Sequence, residues 1–339
     1  MHMHKAVISA LASYLPERVL TNKDLAAQFG TWTAEQIFEK TGIRSRHRAG
    51  PDECASDLAV KAAQKLIDSG RLDPQEVDYL LFCTQAPDHY LPTTACLIQD
   101  RLKLPRSCGA LDFNLGCSGY VYGLSLAKGL IESSQARCVL LLTAETYSKY
   151  INSKDRSVCT VFGDGAAATV LRAAEGAAGL DQFIFGSDGR GGRNLIVQTG
   201  GMRCQRTEET AQESTDADGN VRSANDLYMN GREIFLFAIQ AVPVTINSLL
   251  EKAGLGRDDI DFFVFHQATR YMLDELVRKC KLPPDRVPYA FEMVGNTVSS
   301  TIPLVLEDLI LSGRIKTGHR LMLVGFGVGY SWAGGIVRW

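Results

Sequence analysis

Short continuous runs of hydrophobic residues alternate along this chain with segments whose apolar residues recur at helical spacing. Residues 77–83 and 260–266 form two such runs, each close to acidic residues. A short, unbroken apolar run is typical of a strand buried on both faces, as in a mainly parallel sheet covered by helices. The pattern therefore predicts an α/β protein in which strands and helices alternate.

These two runs belong to an internal repeat with a constant offset of 183 residues. The same offset relates the apolar residues 137–142 to residues 320–324. Segments compatible with helices, residues 118–133 and 299–311, lie between the strands of each pair. Because strand, helix and parallel strand form right-handed crossovers, the repeat predicts two similar halves.

We predict that residues 1–174 and 231–339 form the two halves and that residues 175–230 connect them. The stretch 203–226 is polar and has few large apolar side chains, which is typical of an exposed loop. A long loop in a compact protein can cover a site or be a simple insertion. Both interpretations stay open at this point.

Composition narrows the class of protein. The 339 residues are 45% apolar and 22% charged, as in ordinary globular proteins, and the length favours two packed units. A formal charge of -2 without a run of basic residues argues against tracking of nucleic acid. No stretch approaches the roughly 18 to 20 apolar residues of a membrane span, and residues 6–11 are predicted to be a strand rather than a signal peptide.

The nine cysteines are an odd number without a CxxC pair, which favours reduced thiols in the cytoplasm over disulfides or structural zinc. Cys117 differs from the others because it lies between a predicted strand and a helix, flanked by Gly116, Ser118 and Gly119. Small neighbours let a substrate carbonyl approach, and the positive end of the helix lowers the cost of a reactive thiolate. Other cysteines fit the role of small buried hydrophobic residues; they include Cys83, Cys138 and Cys159.

His266 and Asn296 are candidate partners for the Cys117 thiol. His266 ends an apolar strand, and the carboxyl ends of parallel strands line the crevice where ligands bind. Asn296 precedes the second predicted helix, where an asparagine alone is usually a turn or cap. The glycine-rich residues 325–329 follow a strand and can present backbone N–H groups to a developing oxyanion.

Seven motifs together resemble the β-ketoacyl-acyl carrier protein synthase III family of the thiolase-like superfamily. They are TGIR at 41–44, GCSG at 116–119, FGDGA at 162–166, MNGRE at 229–233, HQA at 266–268, GNT at 295–297 and GFGVG at 325–329. The motifs occur in the family's order and span essentially the whole chain. The resemblance implies the five-layered αβαβα thiolase fold and a homodimer.

The resemblance also implies a mechanism. Cys117 would take an acyl group from a thioester, and His266 and Asn296 would then stabilise the enolate formed when a malonyl thioester loses carbon dioxide. The enolate would attack the acyl-cysteine, with the backbone N–H groups of Cys117 and Val328 as the oxyanion hole, giving a 3-oxoacyl thioester. The substrates would be acyl and malonyl groups on coenzyme A or acyl carrier protein, without a metal or redox cofactor.

Further residues are assigned to substrate binding by their place in the family's motifs. Phe162, and Leu91 from the neighbouring subunit, would border the acyl pocket, while Phe326 would lie beside the catalytic residues. Lys40 would meet phosphopantetheine or an acidic carrier protein, or else belong to a solvated basic face. The remaining assigned residues are Arg156, Met229, Gly231, Arg232 and Thr269.

The chain departs from the family's pattern at two positions. Thr269 stands where many members have asparagine. Many members also stack the adenine of coenzyme A between a tryptophan and an arginine; here Gln36 replaces the tryptophan, although Arg156 remains and Trp32 is four residues away. Loss of an aromatic partner costs about 1 kcal/mol, so we expect coenzyme A to be a poorer donor or to bind differently.

Other classes of protein would require residues that differ from those of this sequence. A thiolase needs a second cysteine near its C-terminus, and this chain has none after Cys280. Papain-like hydrolases have a local signature around their cysteine that is absent here. A non-catalytic partner subunit would lack part of the triad. The alternative that stays open is a specialised enzyme of secondary metabolism with an unusual or carrier-bound acyl donor.

Overall fold

The protein is described by a computed structural model covering residues 4–176 and 178–339. The predicted first half includes residues 1–3 and the predicted connecting region includes residue 177, and these four residues lie outside the described ones. The strands are β1 (Lys5–Tyr14), β2 (Arg18–Thr21), β3 (Ser45–Arg48), β4 (Tyr79–Cys83), β5 (Gly109–Phe113), β6 (Cys138–Glu145), β7 (Gly165–Ala174), β8 (Gly179–Ser187), β9 (Leu195–Val197), β10 (Ser214–Thr215), β11 (Val221–Arg222), β12 (Leu227–Met229), β13 (Phe262–Phe265), β14 (Arg320–Gly327) and β15 (Ser331–Arg338).

The α-helices alternate with these strands. They are α1 (Asn22–Phe29), α2 (Ala34–Thr41), α3 (Ala55–Asp68), α4 (Thr94–Arg101), α5 (Gly119–Glu132), α6 (Arg156–Cys159), α7 (Gly231–Ala253), α8 (Arg270–Cys280) and α9 (Thr301–Leu311). Most of the predicted helix at 299–311 is α9, and it is preceded by a 3-10 turn, Val298–Ser300.

Two mixed sheets form the frame of the molecule. The first has the strand order β1-β7-β6-β4-β5, and the second has the order β13-β14-β15-β8. In each sheet the repeated strands are parallel neighbours, β4 beside β6 and β13 beside β14, while the strands that follow them run antiparallel. The predicted duplication therefore corresponds to matching strands of the two sheets.

Helices fill the space between the sheets and cover both outer faces. Alternate residues of β4 point to opposite faces: Leu80 packs with α3 and α4 on the outer side, whereas Leu81 packs with α5 and α9 between the sheets. Phe263 of β13 packs in the same way with α7 and α8 on the other outer face. The five-layered αβαβα arrangement is thereby confirmed.

The connecting region contains more regular structure than its polarity indicates. Strand β8 lies within residues 175–230 but forms the edge of the second sheet, so that sheet begins at Gly179 rather than after residue 230. Burial in β8 is interrupted by exposed residues, as expected for an edge strand, and it lacks the long apolar run of a central strand. The remainder forms two small hairpin-like pairs, β9 with β12 and β10 with β11.

Helix α7 is long and apolar enough, by length and composition alone, to cross a membrane. Its buried side chains, Val242, Ile246 and Leu249 among them, pack on the second sheet within the outer core. One face of α7 therefore belongs to the core.

Candidate active site

Cys117 lies in the turn that joins β5 to α5, two residues before the helix begins, and is only 4% exposed. The glycine-rich turn at the end of β14 packs directly on it. A Cβ atom added to Gly327 would lie 2.7 Å from Cys117 Sγ, which is too close for a non-bonded contact. Glycine at this position therefore preserves the space around the sulfur.

The electrostatic setting of Cys117 differs from the one expected for a helix start. Burial, followed by the nearby Glu145, raises the pKa of the Cys117 thiol to about 12. The backbone N–H groups of Val328 and Cys117 act in the opposite direction, because each favours a negative charge on the sulfur. In the resting site, burial affects the pKa of Cys117 more than the positive end of the helix does, so the sulfur is held as a thiol.

Those two N–H groups are the ones that the family resemblance assigns to the oxyanion hole. Val328 lies close to Cys117 because the end of β14 turns back over the start of α5. Two backbone donors converging beside a nucleophilic sulfur can stabilise the negative oxygen that forms when a thioester is attacked.

His266 directly follows β13 and is buried beside the ring of Phe326, edge to face at 5.6 Å between ring centroids. Its Nδ1 lies 2.7 Å from the Thr301 hydroxyl oxygen, which leaves Nε2 for the cavity. Burial lowers the pKa of His266 to about 3, so the ring is neutral at physiological pH. When the Thr301 hydroxyl donates to Nδ1, the single ring proton lies on Nε2.

Asn296 is fixed by its backbone and by its side-chain oxygen. Its N–H donates to Val161 O at 3.0 Å, and its carbonyl accepts from Gly163 N at 3.0 Å. Its Oδ1 accepts from Val298 N at 2.9 Å, so the amide NH2 group remains available as a donor. The side chain thus makes the local turn that its sequence position indicates and also offers a donor to the cavity.

The turn around Asn296 needs unusual backbone conformations. Gly295 has φ +74°, and a Cβ there would lie 3.0 Å from Val161 O. Val298 is held at φ +57°, which is unfavourable for a β-branched residue. The surrounding packing holds this strained segment beside the cavity, as is common at functional sites.

Cys117, His266 and Asn296 line one cavity of about 380 Å³, the triad cavity. It brings together several residues that the motifs assign to substrate binding: Phe162, Met229, Gly231, Arg232, Thr269 and Phe326. Most of the rest of its wall is apolar, and sequence reasoning missed these residues because they belong to no chemical motif: Leu195, Ile234, Phe235, Tyr271 and Met272 among them. Such a wall suits the uncharged arm of a thioester carrier.

Three predicted binding residues do not line the triad cavity. Leu91 is 86% exposed. Lys40 and Arg156 both lie against the Trp32 ring, with their charged groups 4.9 and 5.1 Å from its centroid. Arg156 also donates to the Thr31 hydroxyl at 2.8 Å and to the carbonyl of Asp218. Arg156 is therefore already stacked on an aromatic ring of its own chain.

The two residues at the sequence departures have local structural roles. Gln36 completes a capping box at the start of α2: its side chain accepts from Thr33 N at 2.9 Å. Thr269 caps α8 by accepting from Met272 N, and it also lines the triad cavity.

Sequence analysis did not identify a buried carboxyl group that lies near Cys117. Glu145 ends β6 and is fully buried; it accepts from Gln85 N at 3.0 Å and from the Ser299 hydroxyl at 3.0 Å. Burial raises its pKa to about 8. The only sequence signal is an acidic residue at the end of an otherwise apolar strand. Glu145 connects the first sheet to the segment that carries Asn296 and Thr301.

A bound metal ion would be an alternative source of chemistry at this site. Within residues 4–176 and 178–339, no three His, Cys, Asp or Glu side chains are grouped so that they could hold an ion. The donors at Cys117 are thiol, imidazole, amide and backbone N–H groups.

Comparison with known proteins places these features in context. Family models described as 3-Oxoacyl-[acyl-carrier-protein (ACP)] synthase III and its C-terminal part match residues 111–189 and 250–339. The beta-ketoacyl-[acyl-carrier-protein] synthase III 2 of Halalkalibacterium halodurans is 38% identical over 100% of this chain and 98% of its own length.

Two further proteins of the same description are similar to this chain. The synthase III of Caldanaerobacter subterraneus subsp. tengcongensis is 35% identical, over 98% of each chain. A crystal structure of a 3-oxoacyl-(acyl-carrier-protein) synthase III matches with a TM-score of 0.98 at 54% identity, covering 99% of this chain and 100% of that one. This chain is therefore similar to these proteins over essentially its full length.

Proposed function

The chain belongs to the β-ketoacyl-acyl carrier protein synthase III family of acyl-transferring condensing enzymes, and we propose that Cys117, His266 and Asn296 carry out its reaction. The observation that carries this assignment is their convergence on the triad cavity from different elements of the two halves. A nucleophile, a neutral imidazole and a free amide donor are the groups that the reaction requires.

The first half-reaction is a thioester exchange. Cys117 Sγ attacks the carbonyl carbon of an acyl thioester, and the carbonyl oxygen takes the negative charge between the N–H groups of Cys117 and Val328. The bond to the carrier sulfur then breaks, and the thiol proton passes to that sulfur, so the carrier leaves as a free thiol. Dividing the reaction into two steps is the advantage of a covalent intermediate.

The second half-reaction is a decarboxylative condensation. A malonyl thioester accepts hydrogen bonds at its carbonyl oxygen from Asn296 Nδ2 and from His266 Nε2. Cleavage of the bond to the carboxylate releases carbon dioxide and leaves its electron pair in an enolate, whose oxygen needs the two donors most. The enolate carbon attacks the acyl carbon, and the Cys117 sulfur leaves as a thiolate, which yields a 3-oxoacyl thioester. A proton from solvent then restores the Cys117 thiol.

The neutral state of His266 suits this donor role. Because its pKa is about 3, the neutral ring can donate a hydrogen bond without carrying a charge that would have to be buried. Hydrogen bonds in a water-excluded cavity are stronger than in solvent, so stabilisation is concentrated on the enolate. This role requires the tautomer with its proton on Nε2, which forms when the Thr301 hydroxyl, 2.7 Å from Nδ1, donates to that nitrogen.

The acyl donor is proposed to arrive on acyl carrier protein in preference to coenzyme A. Trp32 occupies one face of Arg156, and Gln36 is engaged in capping α2, so an adenine ring would have to displace existing contacts. Malonyl-acyl carrier protein is the proposed extender. Arg232 at the wall of the triad cavity and Lys40 beside Trp32 offer positive charge to phosphopantetheine or to an acidic carrier.

A homodimer is proposed through the free edge of the first sheet. Strand β5 pairs on one side with β4, and Leu111 on it is 43% exposed. Tyr90 and Leu91 are also exposed, which would leave a large apolar surface on a monomer. Leu91, which is 86% exposed, is proposed to reach a partner subunit, as the family pattern implies. Sedimentation analysis would test the dimer, and a monomer in the micromolar range would exclude it.

We further propose that the enzyme works in the cytoplasm, where its nine unpaired cysteines stay reduced, and without metal or redox cofactor. A specialised condensing enzyme with an unusual acyl donor is the second candidate. A second cavity beside Cys117, lined by three tyrosines and an arginine, is the observation that favours it.

The proposed function is tested by mixing the purified enzyme with acyl donors on coenzyme A and on acyl carrier protein, with and without malonyl-acyl carrier protein. Mass spectrometry of the intact protein should show one acyl adduct with carrier-bound donors, and 3-oxoacyl-acyl carrier protein should form when the malonyl substrate is added. The absence of an adduct with every donor would exclude the proposal, and labelling by coenzyme A thioesters alone would reverse the donor assignment.

A further inference from the structure

Glu145 lies behind the active site, and the proposed reaction gives it no role. It ends β6, it is fully buried, and its carboxyl oxygens accept hydrogen bonds from Gln85 N at 3.0 Å and from the Ser299 hydroxyl at 3.0 Å. Burial and the nearby acid Asp164 both raise its pKa. Burying a carboxyl group beside another acid costs stability, so stability alone does not account for its position.

Gln85, the first donor, lies against the turn that carries Cys117. Its Oε1 would be 2.5 Å from a Cβ added to Gly116, so the side chain packs directly on the residue before the nucleophile. Its Nε2 donates to Asn114 Oδ1 at 3.0 Å, which ties it to the same turn a second time. Because Glu145 holds the Gln85 backbone, the support of the Cys117 turn depends on that carboxyl group.

Ser299, the second donor, belongs to the 3-10 turn that fixes Asn296. Val298, its neighbour in that turn, donates its N–H to Asn296 Oδ1 at 2.9 Å. Because Val298 has φ +57°, which is unfavourable for a β-branched residue, the turn keeps this shape only while its neighbours hold it. The bond from the Ser299 hydroxyl to Glu145 is one of those restraints.

The two turns also meet each other. A Cβ added to Gly116 would lie 3.2 Å from Val298 Cγ1, so the Cys117 turn contacts both Gln85 and Val298. Glu145 bonds to Gln85 itself and to the residue that follows Val298. One buried carboxyl group therefore ties together the supports of the proposed nucleophile and of the amide donor.

Glu307 on α9 offers a comparison within the same chain. Its carboxyl oxygens accept from Ser13 N at 3.1 Å and from the Ser13 hydroxyl, so its donors are of the same kinds as those of Glu145. Neither Glu307 nor Ser13 is among the described residues that line the triad cavity. A role in stability alone would be shared by both carboxyl groups, whereas a role in the reaction would belong to Glu145.

We propose that Glu145 is a positioning residue for both half-reactions, because it holds the Cys117 turn and the Asn296 turn in place through Gln85 and Ser299. This inference rests on the proposed function and adds to it a residue that acts through others rather than on the substrate. Loss of the carboxyl group lets both turns relax. Loss of the imidazole or of the amide donor, in contrast, is expected to affect decarboxylation alone.

Glu145 also acts on the charge that Cys117 can carry. After burial, which is the larger cause, the ionised carboxylate raises the pKa of the Cys117 thiol because it opposes a thiolate. Burial raises the pKa of Glu145 itself to about 8, so the carboxylate should slow reactions of the thiolate only above about pH 8. The Val298–Ser300 turn contributes no titratable side chain. The other titratable groups that face this carboxyl group are Cys83 of β4, Tyr147 and Tyr150 after β6, and Asp164 before β7.

The first test measures the two half-reactions separately in variants of the full-length enzyme. Glu145→Ala should slow both acylation of Cys117 and decarboxylation of malonyl-acyl carrier protein by about 10-fold to 100-fold, the scale for a misplaced reacting group. Glu145→Gln keeps an acceptor of the same shape and should restore most of both rates at pH 6. Glu307→Ala is the matched control, and it should react at the wild-type rates even if urea unfolds it more easily.

The second test measures the pH dependence of the Cys117 thiol without any substrate. Wild type and Glu145→Gln react with iodoacetamide between pH 6 and pH 10, and peptide mass spectrometry follows Cys117 apart from the other cysteines. The rate of Glu145→Gln relative to wild type should be about 1 at pH 6 and should rise severalfold above pH 8, since only wild type gains the opposing charge. A merely structural role would leave this ratio independent of pH.

A loss confined to decarboxylation in Glu145→Ala would overturn the proposal, as would equal losses in Glu307→Ala or a ratio that stays constant with pH. If Glu145→Ala does not fold, the pH comparison of wild type and Glu145→Gln decides the matter. Failure of every acyl donor to label wild type would remove the proposed function, whereas the iodoacetamide ratio would still show whether Glu145 acts on the thiol.

Discussion

The strand that leads to His266 has a counterpart in the first half, β4, and the residue at the corresponding place is Cys83. The Cys83 thiol donates to Leu115 O at 3.0 Å, whereas His266 faces Thr301 and the triad cavity. Cys117 in turn corresponds to Ser300, whose hydroxyl lies within hydrogen-bond distance of the Thr143 and Gly165 carbonyls. Of each pair of equivalent positions, one therefore lines the triad cavity and the other supports structure.

The segments before the two central helices differ more strongly. In the first half β5 extends the sheet and ends just before Cys117. The corresponding residues 292–296 form a turn with a single bridge between Asn296 and Phe162. The first half thus uses a strand to position the proposed nucleophile, and the second uses a turn to present an amide. Duplication supplied two similar frames, and local divergence supplied unlike functional groups.

The largest expected effect comes from removing the thiol of Cys117. Cys117→Ala should abolish the acyl adduct, because no other side chain at the cavity can replace the sulfur nucleophile. Cys83→Ala is the matched control and should still be labelled. Mass spectrometry of the intact protein measures both, and a normal adduct on Cys117→Ala would remove this residue from its proposed role.

The second prediction isolates the groups contributed by the C-terminal half. His266→Ala and Asn296→Ala should each lower decarboxylation of malonyl-acyl carrier protein by about 100-fold to 1000-fold, the range for loss of one oxyanion donor. Both variants should still form the acyl adduct, since Cys117 and its N–H donors remain. His319→Ala provides the histidine control. Carbon dioxide release at the wild-type rate from either cavity variant would contradict its assignment.

The third prediction concerns the hydroxyl groups at neighbouring positions of the second half. Thr301→Val keeps the side-chain shape but removes the partner of His266 Nδ1, so decarboxylation should fall by about tenfold, roughly the value of one hydrogen bond. Ser300→Ala should lower the free energy of unfolding by about 1 kcal/mol while retaining the rate. Equal rate losses in both variants would show that Thr301 acts through stability alone.

The last prediction concerns stability rather than rate, at Glu145, where the two halves are joined. Its pKa of about 8 lies above the value of 4.5 for an ordinary glutamate, so it ionises more easily in the unfolded chain. The contribution of Glu145 to the free energy of unfolding should therefore fall as pH rises from about 4.5 to 8. Glu145→Gln removes this titration.

Urea unfolding of wild type and Glu145→Gln at pH 5 and pH 8 measures this effect. The stability of wild type relative to the variant should decrease at the higher pH. Glu251→Gln, on the exposed side of α7, is the matched control and should run parallel to wild type. Parallel behaviour of Glu145→Gln as well would show that Glu145 does not titrate differently in the folded protein.

The sequence was most informative where physical constraints were local. Residues 77–83 and 260–266 are continuous apolar runs because β4 and β13 are buried on both faces, and this revealed both the fold class and the duplication. Strand β8 was not predicted from the sequence because exposed residues interrupt its burial at the sheet edge. Glu145 escaped because a single acidic residue after an apolar strand carries no motif.

By itself, the sequence determined the repeat, the order of strands and helices and the family to which Cys117, His266 and Asn296 point, since each depends on residue type and spacing. Only the tertiary structure decided that Cys117 rests as a thiol, that His266 is neutral and that Trp32 covers Arg156. The reason is physical: a pKa and a cavity depend on everything packed around a group, and those neighbours come from distant parts of the chain.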